Sequence, residues 1–323
     1  MDAETVTRRP KFRKVAVFIF WLSVVACLFL SVVHFLQPDQ LAPVTLVPPW
    51  IWLLPGLMAI AIARKSVSKW ALLISAVMWF GFAAMFVEEA ASLLRFRSPV
   101  FADVRIITLN CCLGSKAASL EPAGLKPDVV FFQESQGPAP TQALAEEYFG
   151  SEAFSVHGGD VSIISRLRLV PVHVDPKSHF VHVVASFEDG RKMDLVCLRL
   201  AAPVFRMDFW SAGFWNDHQK VRQHHRAQLE TVIAHLNANA QTESWIIGGD
   251  FNLVGNDGAL SAFEDLQDTF AVAGSGWCNT GTSDFPLFRV DQIWTTRNVQ
   301  CHSQKVYASE NSDHRMVVVD LDF

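Results

Sequence analysis

The first third of the chain contains three long runs of residues without formal charge, at positions 15–36, 41–63 and 70–87. A helix needs roughly 20 apolar residues to cross the hydrocarbon core of a bilayer. The pattern therefore predicts a membrane domain over residues 15–87, with three transmembrane helices at 15–36, 45–63 and 70–87. Four prolines restrict the second helix, and a start near Pro49 is favoured because proline suits a first helical turn. A cleaved signal peptide followed by buried core helices is disfavoured, since the first run exceeds the roughly 7–15 apolar residues of a signal peptide.

The distribution of basic residues predicts an orientation for these helices. Lys and Arg cluster before the first run and between the second and third, at Arg8, Arg9, Lys11, Arg13, Lys14, Arg64, Lys65 and Lys69. The loop between the first and second runs holds Asp39 and neither Lys nor Arg. Because basic segments stay in the cytoplasm, residues 1–14 are predicted to be cytoplasmic, although Arg95 and Arg97 slightly oppose this orientation. The chain is then a multi-pass protein of an inner or plasma membrane, and the residues after the third helix are extracytoplasmic (periplasmic).

From residue 104 the pattern changes to short hydrophobic runs of strand length. Strands are predicted at residues 104–109, 128–133, 161–164, 181–187, 192–198, 245–248, 290–295, 299–307 and 315–321. Asp189-Gly190 between two of them is typical of a β-hairpin, and residues 216–236 are predicted to form a long helix. Strands outnumber helices and alternate with them irregularly, which favours two packed β-sheets with helices outside over a doubly wound sheet. Residues 88–102 are predicted to be a linker and residues 103–323 a single α/β domain.

Charge divides the chain at the same place. Residues 1–100 carry a net charge of +5, whereas residues 101–323 carry −10. The acidic domain is therefore not expected to bind a polyanion nonspecifically, because such binding depends on Lys and Arg. The six cysteines lack CxxC spacing, which disfavours a zinc site. Cys278 and Cys301 could form a disulfide in an oxidising compartment, but buried thiols are the favoured interpretation.

Polar side chains stand at the ends of five hydrophobic strands. They are Asn110, Gln133-Glu134, Asp250 with Asn252, Asp291, and Asp313-His314. Strand ends are positions at which a rigid scaffold presents side chains to a cleft. Each residue alone could be a cap or a surface acid, but the set is rich in oxygen ligands and contains a single histidine. Such ligands suit Mg²⁺ or Mn²⁺ better than zinc.

The motifs around these residues resemble those of the endonuclease/exonuclease/phosphatase superfamily, which has a deoxyribonuclease I-like fold. The matching segments are TLN at 108–110, QE at 133–134, SIISR at 162–166, GGDFN at 248–252, RVDQI at 289–293 and SDH at 312–314. They follow the family's order across residues 103–323. The resemblance implies a four-layered α/β sandwich, and three spans before this domain resemble small bacterial membrane-anchored members.

The resemblance also implies a role for each residue at the strand ends. Glu134 would be the principal ligand of Mg²⁺ or Mn²⁺, with Asp313 helping to hold the ion or its waters. Asp250 would activate the attacking water, while Asn252 and Asn110 would position that water and the phosphate. His314, paired with Asp291, would stabilise charge on the phosphoryl oxygens. These are the parts that phosphoester hydrolysis requires: a Lewis acid, a positioned water and donors for developing charge.

One position departs from the family's pattern. Many members place a histidine at the end of the strand before the long helix, beside the leaving group, but this chain has Arg199 there. Arginine stays charged at neutral pH and cannot act as a general acid, although it can bind a phosphate. His218, His224 and His225 on the following helix could supply a proton, and Arg222 and Arg226 could reach an anionic substrate. A solvated helix face is the favoured interpretation for all five.

Three hypotheses for function remain. The favoured one is a membrane-anchored, metal-dependent phosphoesterase whose substrate is a lipid head group, a nucleotide or another small phosphoester. The second is an extracytoplasmic endonuclease of the same superfamily, which the −10 charge of residues 101–323 disfavours. The third is a noncatalytic membrane protein that binds an anionic ligand, which the full set of polar strand-end residues disfavours.

Overall fold

The computed structural model describes residues 3–95, 102–204 and 206–323, with side chains from residue 11 onward. The chain divides into two compact units, Met1–Ala91 and Ser92–Phe323. The helices are α1 Ala3–Leu36, α2 Ala42–Leu46, α3 Pro49–Ala63, α4 Lys69–Phe86, α5 Glu88–Ser92, α6 Lys116–Leu120, α7 Pro138–Phe149, α8 Ala212–Asn239 and α9 Thr269–Ala273. The strands are β1 Val104–Asn110, β2 Val129–Gln133, β3 Phe154–Gly158, β4 Val161–Ser165, β5 Arg168–Val174, β6 Phe180–Ser186, β7 Lys192–Arg199, β8 Trp245–Asp250, β9 Gln267–Asp268, β10 Asp291–Thr295, β11 Gln300–Tyr307 and β12 Met316–Asp322. Short 3₁₀ helices occupy residues 39–41, 121–125 and 258–263.

The first unit consists of apolar helices. Two segments are long and apolar enough to cross a membrane, Lys11–Leu36 within α1 and Lys69–Phe86 (α4). The predicted second span is a pair of helices bent by 72°, because Pro48 and Pro49 interrupt the backbone hydrogen bonding between α2 and α3. Helix α3 begins at Pro49, as predicted, and the described residues contain two or three candidate spans. Inside the unit, Trp79 Nε1 donates to Ser23 Oγ at 3.1 Å.

The second unit contains two six-stranded mixed sheets packed face to face. Their strand orders are β11-β12-β1-β2-β4-β3 and β5-β6-β7-β8-β10-β9. Each sheet has one parallel pair at its centre, β1 with β2 and β7 with β8. The inner faces form a core of aliphatic side chains from both sheets. One outer face packs against α7 and the other against α8, which confirms the predicted four-layered α/β sandwich.

The nine predicted strands are present within a few residues of their predicted bounds. Three further strands were not predicted: β3, β5 and the two-residue β9. Strand β5 lies at the edge of its sheet and contains Pro171, which is tolerated there because an edge strand leaves some backbone groups unpaired. Helix α8 is longer than predicted, since Ser211 caps it by accepting the amide of Phe214. Cys278 and Cys301 are buried, and the structure has no disulfide between these two described residues.

Gly249 shows how closely strands β7 and β8 approach each other at the end of β8. Its φ is +147°, and a Cβ added there would lie 1.9 Å from the carbonyl oxygen of Leu198 in the neighbouring strand. We expect Gly249→Ala to lower the free energy of unfolding by about 2–4 kcal/mol. Thermal unfolding of the solubilised chain measures this. Gly124→Ala is the control, because a Cβ at Gly124 meets no atom within 4 Å. Equal melting temperatures for the two variants would contradict the expectation.

Candidate functional site

The backbone register of the two sheets brings the predicted site residues to one edge. Asn110 lies opposite Gln133, so Glu134 directly follows the same edge of the first sheet. In the second sheet, Asp250 lies between Arg199 on one side and Asp291 on the other. The segment that precedes β12 is fixed to this edge because Ser312 Oγ donates to the carbonyl oxygen of Asn110 at 2.6 Å.

Asp250 is the centre of the arrangement. Its side chain is buried, and its Oδ2 accepts hydrogen bonds from Asn110 Nδ2 at 3.0 Å and from Asn252 Nδ2 at 3.1 Å. Its Oδ1 accepts the backbone amide of Asn252 at 2.9 Å. Asn110 Nδ2 also lies 3.2 Å from Glu134 Oε1, so this amide joins carboxylates from the two sheets. The carboxylate of Asp250 is therefore held in one orientation before any ligand binds.

His314 and Asp291 form a hydrogen-bonded pair beside Asp250. His314 Nδ1 lies 2.8 Å from Asp291 Oδ2, so Nδ1 is assigned as the donor and Nε2 is left to act on a ligand. Ligand atoms of Asp250, Asp291 and His314 all lie within 4.8 Å of one another. The other Asp291 oxygen, Oδ1, is buried and has no hydrogen-bond partner among the described residues.

In the cluster of Asp250, Asp291 and His314, which we call the trio, the pKa values of Asp250 and His314 are shifted by their neighbours. Burial of the carboxyl group, with the nearby charge of Asp291, raises the pKa of Asp250 to about 7. Burial disfavours the charged form of His314, but the neighbouring carboxylates of Asp291, Asp250 and Asp313 outweigh it and raise the pKa of His314 to about 10. Between these two values Asp250 can accept a proton while His314 is a cation. This is the combination that a base beside an anion-stabilising group requires.

Arg199 lies in the same cleft, where the sequence placed it. Its Nη2 donates to Glu134 Oε1 at 2.7 Å and its Nη1 to Asp160 Oδ2 at 2.6 Å. Its Nε lies 3.8 Å from Asp250 Oδ2 and has no hydrogen-bond partner among the described residues. The cleft has a volume of about 310 Å³ and is lined by Leu113, Gly114, Glu134, Ser135, Gln136, Asp160 and Arg199.

The predicted metal ligands are not gathered as tightly as the trio. Glu134 Oε2 accepts the backbone amide of Leu113 at 2.5 Å, and Glu134 Oε1 faces Arg199. Asp313 is exposed, and its carbonyl oxygen accepts the amide of Ser283. The donors are carboxylate and amide oxygens, which fit Mg²⁺ or Mn²⁺. Arg199 forms an ion pair with Glu134 at 2.7 Å.

Asp160 is not among the predicted site residues, and the prediction for three residues of α8 is wrong. Asp160 occupies the turn between β3 and β4, where an acid is usually a turn residue, so the sequence held no useful signal. His218, Arg222 and His225 are buried, contrary to the predicted solvated face. They continue the buried stripe of the helix at a spacing of three or four residues.

Two of these residues, Arg222 and His225, bind other parts of the unit and so help to hold α8 in place. Arg222 pairs with Asp257 at 2.9 Å, and His225 Nε2 lies 2.7 Å from the carbonyl oxygen of Ala201. Burial lowers the pKa of His225 and His218, so both are neutral at pH 7. His224 is exposed as expected, and Arg226 Nη2 lies 3.4 Å from the carbonyl oxygen of Gly258.

A four-layered sandwich with Asn, Glu, Asp and an Asp–His pair along one edge defines the class of deoxyribonuclease I-like phosphoesterases and nucleases. The chain belongs to the Endonuclease/Exonuclease/phosphatase family, whose model matches residues 107–314. A search of curated proteins found no match.

Solved structures share this fold at low sequence identity. A mannosyl-6-phosphatase from Bacteroides thetaiotaomicron is 14% identical with a TM-score of 0.53, over 68% of this chain and 100% of that one. An endonuclease/exonuclease/phosphatase from Bacteroides vulgatus is 14% identical with a TM-score of 0.52, over 68% and 98%. The beta toxin of Staphylococcus aureus with bound magnesium ions, carrying two alanine substitutions, is 14% identical with a TM-score of 0.51, over 68% and 99%. At this identity the similarity establishes the fold.

Proposed function

We propose that the protein is a membrane-anchored, Mg²⁺- or Mn²⁺-dependent phosphoesterase that hydrolyses a phosphodiester or phosphomonoester with an activated water. The observation that carries the proposal is the buried Asp250 carboxylate, which two asparagine amides orient beside the His314–Asp291 pair. Family membership supports hydrolysis of a phosphoester. Glu134, with Asp313, would hold the metal, which when bound would supply a Lewis acid for a phosphoryl oxygen.

The chain's own residues perform the remaining steps. Asp250 accepts a proton from the attacking water, since its pKa of about 7 suits a base at neutral pH. Asn252 and Asn110 hold Asp250 and the phosphate in a fixed relation. The His314 cation stabilises negative charge that develops on the phosphoryl oxygens, and Asp291 keeps its ring oriented. Arg199 offers its Nε to a phosphate oxygen.

Hydrolysis of bis(p-nitrophenyl) phosphate by the full chain, with and without added Mg²⁺, tests the proposal. We expect metal-dependent release of p-nitrophenolate from the unmodified chain. No hydrolysis at any metal concentration would favour the noncatalytic, anion-binding alternative. Nicking of plasmid DNA at a comparable rate would favour the endonuclease alternative, which the −10 net charge of residues 101–323 disfavours.

Arg199→Ala is expected to raise KM about 10- to 100-fold, because a charge-assisted hydrogen bond contributes about 1.5–3 kcal/mol. The effect should be similar for an activated leaving group and for a poor alkoxide, since arginine is not a proton donor at neutral pH. Arg199→His should restore part of the binding and selectively accelerate the poor leaving group. Steady-state kinetics on both substrates measure this, and Arg166→Ala is the control because Arg166 pairs with Asp128. Unchanged kcat and KM in Arg199→Ala would exclude Arg199 from substrate binding.

The proposed anchoring includes an extracytoplasmic position for the residues after Phe86. We expect a reporter that is active only in the periplasm to be active when fused after Phe323, because eight Lys or Arg residues flank the predicted cytoplasmic ends of the helices. Fusions after Lys65 provide the control and should be inactive. The opposite pattern would place the catalytic unit in the cytoplasm.

A further inference from the structure

Helix α8 extends well past the edge of the sheet that carries the candidate site. At its C-terminal end, the amides of Gln241 and Thr242 donate to Asp194 near the start of β7. In its middle, His225 contacts Ala201, two residues beyond the end of β7. The helix therefore runs antiparallel to β7. From His225 the helix continues for 13 residues, or about 20 Å at 1.5 Å per residue, to its start at Ala212.

The loop at the tip of this extension has its charges paired and its apolar side chains exposed. Arg206 pairs with both Asp208 and Asp217, and Ser211 Oγ donates to Asp208 at 2.7 Å. Three apolar side chains in the same segment are exposed: Met207 by 87%, Phe209 by 65% and Trp210 by 77%. The Phe209 and Trp210 rings contact each other, with their centroids 5.1 Å apart. We call Met207, Phe209 and Trp210 the apolar tip.

Two other loops at the catalytic edge also expose large apolar side chains. Leu113 is 91% exposed, and its backbone amide donates to Glu134. Phe285 is 71% exposed, and its neighbour Ser283 donates its amide to the carbonyl of Asp313. Loops at this edge therefore expose apolar side chains, and Leu113 lines the cleft together with the charged Glu134, Asp160 and Arg199.

We propose that the apolar tip inserts into the surface of a lipid bilayer and turns the candidate site toward phosphoesters at that surface. Trp and Phe favour the boundary between head groups and acyl chains. Arg206 pairs with Asp208 and Asp217, which lowers the cost of bringing these charges close to lipid. The same chain also carries helices long enough to cross a membrane. The acidic unit is not attracted electrostatically to the phosphates of lipids. Insertion therefore depends on apolar contacts and is insensitive to salt.

Lipid insertion rests on the proposed function in one respect: the cleft that the apolar tip orients is the proposed hydrolytic site. Its test uses the full chain reconstituted in phosphatidylcholine vesicles, with an environment-sensitive nitrobenzoxadiazole label on Met207→Cys. The matched control is Glu188→Cys, an exposed position in the hairpin at the opposite end of β7. The unmodified chain gives the labelling background, since Cys112 is only partly buried.

We expect the label at position 207 to show blue-shifted emission and to lose emission when the vesicles contain brominated phosphatidylcholine. The label at 188 should show neither effect, and the result at 207 should persist from about 0.05 to 0.5 M salt. Adding Phe209→Ser and Trp210→Ser should remove both effects at 207. A label at 207 with water-like emission overturns the proposal. A blue shift without loss of emission in brominated lipid overturns it too, because the tip would then lie against protein.

Hydrolysis of bis(p-nitrophenyl) phosphate by the same vesicles separates the two proposals. Active vesicles with a water-exposed label at 207 would overturn lipid insertion and leave the phosphoesterase intact. Inactive vesicles with a buried, quenched label at 207 would overturn the phosphoesterase and leave lipid insertion intact.

Discussion

Asp250→Asn is expected to lower kcat for phosphoester hydrolysis by roughly 10²–10⁴-fold, the range for loss of a general base. Asparagine has nearly the same shape as aspartate and keeps an oxygen for the amides of Asn110 and Asn252, so the fold should persist. KM should change little, because Asp250 acts on the water rather than on the substrate's remote groups. Removing a buried carboxylate should leave the melting temperature equal or higher.

The pH profile of the unmodified chain provides a second measurement of the same role. Asp250 must be ionised to accept a proton, so activity should be lost as the pH falls through about 7. His314 must be protonated to stabilise the phosphoryl oxygens, so activity should also be lost as the pH rises through about 10. The acidic limb should disappear from the residual activity of Asp250→Asn. Asp265→Asn, at an exposed position, should keep both limbs. A profile that still falls below pH 7 in Asp250→Asn would assign the base to another group.

The fold and the gathering of the site could be predicted because both follow from local patterns. Hydrophobic runs such as residues 104–109 and 245–248 become the central strands of the two sheets. The polar residues that end them, Asn110 and Asp250, then meet because both sheets present the same edge. Sequence order and strand direction determine this result, and neither depends on the details of side-chain packing.

The contacts of Arg199 and the buried face of α8 could not be predicted for the opposite reason. The pairing of Arg199 with Asp160 depends on the turn between strands β3 and β4. Strand β3 has too little alternation of apolar and polar residues to be identified from the sequence. Burial of Arg222 depends on Asp257, 35 residues away, which supplies the countercharge that makes a buried arginine tolerable. Long-range pairing of polar groups leaves no periodic signal in the sequence.

Removal of divalent metal by EDTA is expected to abolish hydrolysis, and Glu134→Gln should reduce it by at least about 100-fold at a fixed Mg²⁺ concentration. A Lewis acid at a phosphoryl oxygen contributes several kcal/mol to the transition state, and each 1.4 kcal/mol is tenfold in rate. Glu134→Gln removes one carboxylate charge, and with it the ion pair to Arg199 Nη2. High Mg²⁺ should recover part of the activity, because a glutamine oxygen remains a weak ligand.

Titrations with Mg²⁺ and Mn²⁺ separate metal binding from general damage to the cleft. In Glu134→Gln the metal concentration for half-maximal activity should rise, whereas in Glu147→Gln, an exposed residue of α7, it should equal that of the unmodified chain. Arg199 Nη2 donates to Glu134 Oε1 in this structure, so an ion bound to that oxygen would compete with Arg199. Arg199→Ala should therefore shift the half-maximal metal concentration downward even as KM rises. Full hydrolysis in EDTA would contradict metal dependence. An unchanged metal titration in Glu134→Gln would move the ion to the trio of Asp250, Asp291 and His314, whose ligand atoms already lie within 4.8 Å of one another.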